Sequence, residues 1–431
     1  MIVHLHIGTP KSGTTYLQRL MARNRDRLAA DGVLWAGRVW ADQVHAVRDV
    51  LDVHPGGQRS DEAAGAWDRF VAEVDAWEGR AAVLSMEWLV HATPAQVGYI
   101  AGSLRHHEVR VVATARDIAR AVPSQWQEQM QNWATWTWEE YLDAVTSDEP
   151  FEREAGRQFH TDHDLGRIMR TWAEAVPADR MRLVTIPGRG ADDALLWRRF
   201  AEAIEVDPEG YDTRVPELNE SLGAASAELM RRINVTTREQ GLQWRLGDPL
   251  LKWGLAKGVL SGRRGQEARL VLPAEHHEWA VLESKRHIRQ VEELGIPVIG
   301  SLEELVPQPA VLAEPVVTAP EELLDAAVDG VAGLVVALAA QGEADRLAAA
   351  EAQRRAADET ERLAAEVERL AAEARAAEAA RTSARAKRVL ARAIRRGARP
   401  VVRVARQGAA RLAGAAHGPS GVWARPEVNA G

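Results

Sequence analysis

The chain has 431 residues, a formal net charge of −8 and 46% hydrophobic residues. That is enough for one large domain with appendages or for two domains, with ample material for a core, and too acidic on average for a nucleic-acid coat. The absence of cysteine excludes disulfides, thiolate metal sites and cysteine nucleophiles. No secretory leader pattern is seen, and the apolar run VAGLVVALAA near position 335 is expected to be too short to span a bilayer. The expected location is therefore cytoplasmic, with a peripheral position at the inner face of the membrane as a variant.

In chain order, residues 2–7 predict a short strand that runs into GTPKSGTT. The next stretch, TTYLQRLMARNRDRLAADG, has helical spacing. Leu17, Leu20, Met21 and Leu28 fall on one side, and Asp31-Gly32 forms its end. AAVLSMEW (81–88), EVRVVATAR (108–116) and RMRLVTIP (180–187) predict further strands, separated by helical patterns. Short apolar strands alternating with helices imply an α/β domain over 1–309. Its parallel sheet is covered by helices on both faces, and its ligand is expected at the carboxyl ends of the strands.

Residues 195–206 predict a packed helix, and 218–234 open another with Asn219 or Ser221 as cap. The basic, tryptophan-bearing stretch 241–265 reads as a surface subdomain, with a lid over the site as the alternative. FHTDHDLGRI places His160, Asp162, His163 and Asp164 close together. A zinc site needs a distant further ligand, so Thr161 or Asp162 is expected to cap a helix instead.

Beyond 309 the composition changes. Residues 310–342 read as a linker and an isolated helix, and 343–383 as an Ala/Glu/Arg-rich long helix or weak coiled coil. Leu363, Val367 and Leu370 are a fragment of a seam there, and homo-oligomerisation is the expected use. Residues 384–412 are basic and amphipathic, which suits an anionic membrane or a polyanion; composition alone fits a solvated tail as well. The final segment, 413–431, is expected to be disordered.

The loop carries the chemistry. Gly8 and Gly13 stand at the spacing of the nucleotide pattern G-x-x-x-x-G-K-[ST]. Thr14 occupies the lysine position, and the lysine sits inside the loop as Lys11. Backbone N–H groups at a helix N-terminus make an anion site without any lysine. From inside the loop Lys11 reaches toward the bridge between a phosphate and the group transferred. A triphosphate needs a metal to neutralise it; a phosphosulfate is shorter and less charged.

These residues resemble a known family. PKSGTTYLQ is similar to the 5′-phosphosulfate loop of the sulfotransferases that use 3′-phosphoadenosine 5′-phosphosulfate (PAPS). ATARDIARAVPSQW resembles the family's second feature, an arginine ending a strand and a serine eight positions on, here Arg116 and Ser124. The resemblance covers about residues 1–305. It implies a P-loop sulfotransferase fold, with PAPS as donor and no metal. Pro10, Lys11, Ser12, Gly13, Thr14 and Thr15 would hold the 5′ end, and Arg116 and Ser124 the 3′-phosphate, which a guanidinium forks well. The acceptor it implies is a hydroxyl of a glycan or glycolipid, and no sequence-specific nucleic acid is expected.

Sulfuryl transfer to a hydroxyl needs a base within hydrogen-bond reach. Glu87, at the end of an apolar strand, is one candidate, because apolar walls raise a carboxyl pKa. His45 is the other. It lies after the first helix, where glycan sulfotransferases of the family carry a glutamate. A P-loop kinase using ATP is the alternative reading; Thr14 in place of lysine separates the two, and Asp117 is no clear magnesium ligand. A non-catalytic assembly module on the same fold is the third.

Overall fold

The computed structural model describes residues 1–53, 60–188, 190–192, 194–214, 221–308, 318–379 and 392. Two compact units divide the chain, Met1–Val336 and Ala337–Gly431. The first is an α/β domain with a six-stranded, wholly parallel sheet. Its strands are β1 (Ile2–His6), β2 (Val33–Trp35), β3 (Ala81–Ser85), β4 (Glu108–Ala115), β5 (Met181–Thr185) and β6 (Val298–Ile299), in the order β2-β3-β1-β4-β5-β6.

Alternation along the strands sorts side chains between two cores, as a pleat requires. Val3 and Leu5 of β1, Leu84 of β3, Val111 and Ala113 of β4 and Leu183 of β5 face one layer. Val83, Val112 and Val184 face the other, with Leu17, Leu20, Met21 and Leu28 from the helices after the loop. A third cluster lies around the Ile118–Gln131 helix and the segments from Trp138 to Phe159. The histidines of β1 are buried too, and burial lowers the pKa of His6 to about 3. Neutral His6 ties three strands together, through Ser85 Oγ at 2.7 Å and Thr114 Oγ1 at 3.1 Å.

Two short edge strands, β2 and β6, were not expected from the sequence. The helix after the loop is two helices, Thr14–Arg23 and Arg25–Ala30, broken at Asn24. Asn24 explains the break: its Nδ2 donates to Leu20 O at 2.9 Å, competing for the helix ladder. The helix expected over 218–234 runs from Ala224 to Glu239 and starts at Gly223. Ser221 does not cap it, and Asn219 lies outside the described residues. The expected strand and helix ends are otherwise displaced by a few residues, as frayed ends are.

The isolated helix and the Ala/Glu/Arg-rich helix are one continuous helix, Pro320–Ala379. Nothing between them breaks it, since alanine is the strongest helix former. Within the first unit Ala326 is buried, and Gly330 and Gly333 lie against Leu255 and Val259, where a Cβ would approach to 3.0 and 2.5 Å. Val328, Val331 and Val335 point outward. Pro320–Glu373 contains an 18-residue window long and apolar enough to cross a membrane by length and composition. VAGLVVALAA is thus part of a longer apolar stretch than the ten residues on which the sequence expectation rested. Apart from residue 392, the basic segment 384–412 and the tail 413–431 lie outside the described residues.

Candidate functional site

The chain leaves β1 for one edge of the sheet and later crosses to the other, so β1 is flanked by β3 and β4. A crevice opens at the carboxyl ends of strands at such a switch point. Three segments meet there: the loop 8–13 after β1, Glu87 after β3 and Arg116 after β4. They line a cleft of about 1590 Å³.

Two glycines let the loop fit. Gly8 has φ 92°, and a Cβ there would lie 2.9 Å from Glu87 Cβ. Gly13 has φ 79°, and a Cβ would meet Leu196 Cδ2 at 2.6 Å. Only glycine combines that backbone with that closeness. Lys11 also adopts a left-handed conformation, φ 60°, a strained choice for a long side chain and of the kind that collects at ligand sites. The Thr14–Arg23 helix begins at Gly13 with no side-chain cap and no acid in its first turn. Its first N–H groups are therefore left for an anion. Pro10, Lys11, Gly13, Thr14 and Thr15 line the cleft.

Ser12 differs from its neighbours. Its side chain is fully buried, and its hydroxyl bonds to Thr9 O and, at 2.6 Å, to Thr114 Oγ1. It pins the loop to β4, and only its backbone is left for a ligand. Arg116 ends β4 and donates from Nη1 to Lys11 O at 3.0 Å, so it braces the loop from the neighbouring strand. Asp117 caps the Ile118–Gln131 helix, accepting from Arg120 N at 2.9 Å, and its carboxylate also pairs with the Arg120 side chain. Ser124 is half-buried on that helix and, with Arg116, faces the cleft.

Two carboxylates flank Lys11. Glu87 accepts from Gln18 Nε2 at 3.0 Å. Burial pushes its pKa up, the nearby Glu128 charge adds to this, and the Gln18 bond and Lys11 oppose it. Glu128 forms an ion pair with Lys11 at 3.3 Å and a longer one with Lys252 at 3.8 Å. Burial opposes its charge, but Lys11, Lys252 and Lys257 outweigh it and hold the pKa down to about 2. One carboxyl is thus biased toward the proton and the other away from it, as in acid–base sites where environment separates two like groups.

The outer wall of the cleft comes from three places. The Trp40–Leu51 helix contributes His45 and Arg48. His45 is half-buried and, among the described residues, has no hydrogen-bond partner that orients its ring. The short helix Glu87–His91 contributes His91, whose Nε2 lies 2.6 Å from Asp162 Oδ1. The 241–265 stretch contributes Trp244, Asp248, Lys252, Trp253, Lys257 and Arg264, so it walls the cleft instead of forming a separate surface subdomain.

Asp162 caps nothing. It is buried and accepts from His91 and from Gln125 Nε2, while Asp164 caps the Leu165–Ala173 helix. His160 bonds to Val145 O at 2.9 Å, and His163 packs on Phe159. Sequence reasoning missed Gln18, His91, Glu128 and Asp162 as site residues. Glu128 had a signal, since it lies one helical turn beyond Ser124 and shares its face. The others are joined only by the fold. Comparison with family models, curated proteins and solved structures gives no match.

Proposed function

We propose that the chain is a PAPS-dependent sulfotransferase acting on a hydroxyl, built on the P-loop sulfotransferase fold. The observation that carries this reading is the meeting, at three adjacent strand ends, of a glycine loop bearing Lys11, the Arg116–Ser124 pair and Glu87. The loop has neither the lysine position nor a free aspartate of the metal-nucleotide site, since Thr14 replaces one and Asp117 is used as a helix cap. The residues suit the donor. The uncapped helix start and the loop backbone fit a 5′-phosphosulfate, and Arg116 with Ser124 fits a 3′-phosphate.

The donor supplies the sulfuryl group. Glu87, ionised, takes the proton of the acceptor hydroxyl, and its raised pKa suits that work. Lys11 stabilises charge on the leaving phosphate oxygen, and for this it exchanges Glu128 for the donor. Acceptor and leaving oxygen must stand in line, and a cleft of about 1590 Å³ has room for both.

The test is incubation of the full chain with radiolabelled PAPS and a panel of glycans, glycolipids and simple polyols. Label should pass to an acceptor in the wild type and be lost in Lys11→Ala. An unlabelled panel, with PAPS consumed no faster than in buffer, would refute the reading.

A further inference from the structure

Beyond the donor-side groups, the cleft wall holds a cation that the proposed chemistry does not use. The Arg48 guanidinium lies over the Trp88 ring, 5.0 Å from its centroid. Its Nε is buried without a hydrogen-bond partner. Among the described residues its side chain makes no hydrogen bond and no ion pair. Burial works against its charge, and the more distant Asp248 favours it. An arginine keeps its charge, and a desolvated charge without a bonded counter-ion is costly. Such a group is explained when a ligand brings the anion.

The position of Arg48 says which ligand. Trp88 directly follows Glu87 in the chain, and Arg48, Trp88 and Glu87 all line the one cleft. His45 lies one helical turn before Arg48 and faces the same cleft. A planar fork stacked on an aromatic face, with a second donor one turn away, matches a carboxylate, sulfate or phosphate.

We propose that Arg48, assisted by His45, binds an acidic group on the acceptor, so that the acceptor is an anionic polyol and not a neutral one. This rests on the sulfotransferase reading of the same cleft. It makes Arg48 a specificity residue, and it gives His45 a use as a ligand donor in place of the base.

The experiment is calorimetric titration of the full chain with glucose, glucuronate and glucose 6-phosphate. A Lys11→Ala/Arg116→Ala background weakens the donor loop as a rival anion site, and the Arg48 variants are compared within it. One charge-assisted fork predicts that the acids bind roughly tenfold or more tighter than glucose. Comparing glucuronate with glucose 6-phosphate separates a carboxylate site from a phosphate site. Arg48→Met, matched in melting temperature to its parent, should abolish the preference, and Arg48→Lys should keep part of it. Equal binding of glucose and both acids, no binding of either acid, or a preference that survives Arg48→Met would overturn the proposal. If Arg48→Met does not fold, a preference undiminished in Arg48→Lys is the overturning result. The titration uses no donor, so failure of the unmutated chain to bind 3′-phosphoadenosine 5′-phosphate would count against the donor assignment alone.

Discussion

Lys11 Nζ and Glu128 Oε2 lie 3.3 Å apart, and Lys252 Nζ of the cleft wall is 3.8 Å from the same carboxylate's other oxygen. Lys252 also donates to Asn132 Oδ1 at 2.6 Å. The proposed catalytic lysine is therefore held by a carboxylate that also pairs with the cleft wall, and the proposed donor phosphate would compete with that carboxylate for it.

Lys11→Ala should lower turnover by about 10²–10³-fold, the usual loss when one donor to a developing oxyanion is removed. Affinity for 3′-phosphoadenosine 5′-phosphate should change far less, because backbone and Arg116 contacts remain. Single-turnover rates beside calorimetry check this. Intact turnover with weakened binding would contradict the role assigned.

Glu87→Gln should remove the acidic limb of the pH–rate profile, since only ionised Glu87 accepts the proton. Ionised Glu87 serves the reaction but costs stability. Its folded pKa is raised above the ordinary value of 4.5, so the native state binds more protons than the unfolded one between the two values. Glu87 then costs stability as pH rises through that window. The variant should match the wild type well below 4.5 and melt higher than it above the folded pKa; equal melting temperatures across that range would contradict the burial argument.

Glu128→Gln behaves oppositely. The carboxyl is held down to about 2 against an ordinary 4.5, so it contributes stability above 4.5 that fades as pH falls toward 2. That contribution is at most about 3 kcal/mol, and less after solvent screening of a partly exposed pair. Denaturant unfolding at neutral and acid pH should show the variant weaker only at neutral pH.

Gly8→Ala should disrupt the site without touching any charge. Its Cβ would press on Glu87 Cβ at 2.9 Å, on a backbone with φ 92°. Donor binding and thermal stability should fall together, whereas a variant binding donor normally would show that the loop tolerates displacement.

Much of this site was legible because its parts are local. A glycine loop between a strand and a helix, and an arginine ending a strand, are visible as spacing. Glu87 stood out because it ends an apolar run. The pairing of Glu128 with Lys11 was not legible, since it joins residues from separate elements across the crevice, and neither residue type alone marks the pair. The 241–265 stretch was misjudged for a related reason: basic and aromatic composition suits a solvent surface and a cleft wall equally, and only packing of Leu251 and Leu255 on the third core cluster decides. The long helix was divided at the change from apolar to charged residues, although composition can change along a helix that never breaks. For Asp162 the local pattern suggested a cap, but Asp164 took that position and left Asp162 to His91.

The proposed donor is a nucleotide carrying a 3′-phosphate. Calorimetric binding of 3′-phosphoadenosine 5′-phosphate to the full chain, beside ADP and Mg-ATP, separates it from the metal-nucleotide alternative. The 3′-phosphate compound should bind well above the other two, and roughly 10–100-fold more weakly in Arg116→Ala, as expected for losing charged hydrogen bonds. Preference for Mg-ATP, or an Arg116→Ala variant that binds as tightly as the wild type, would contradict it.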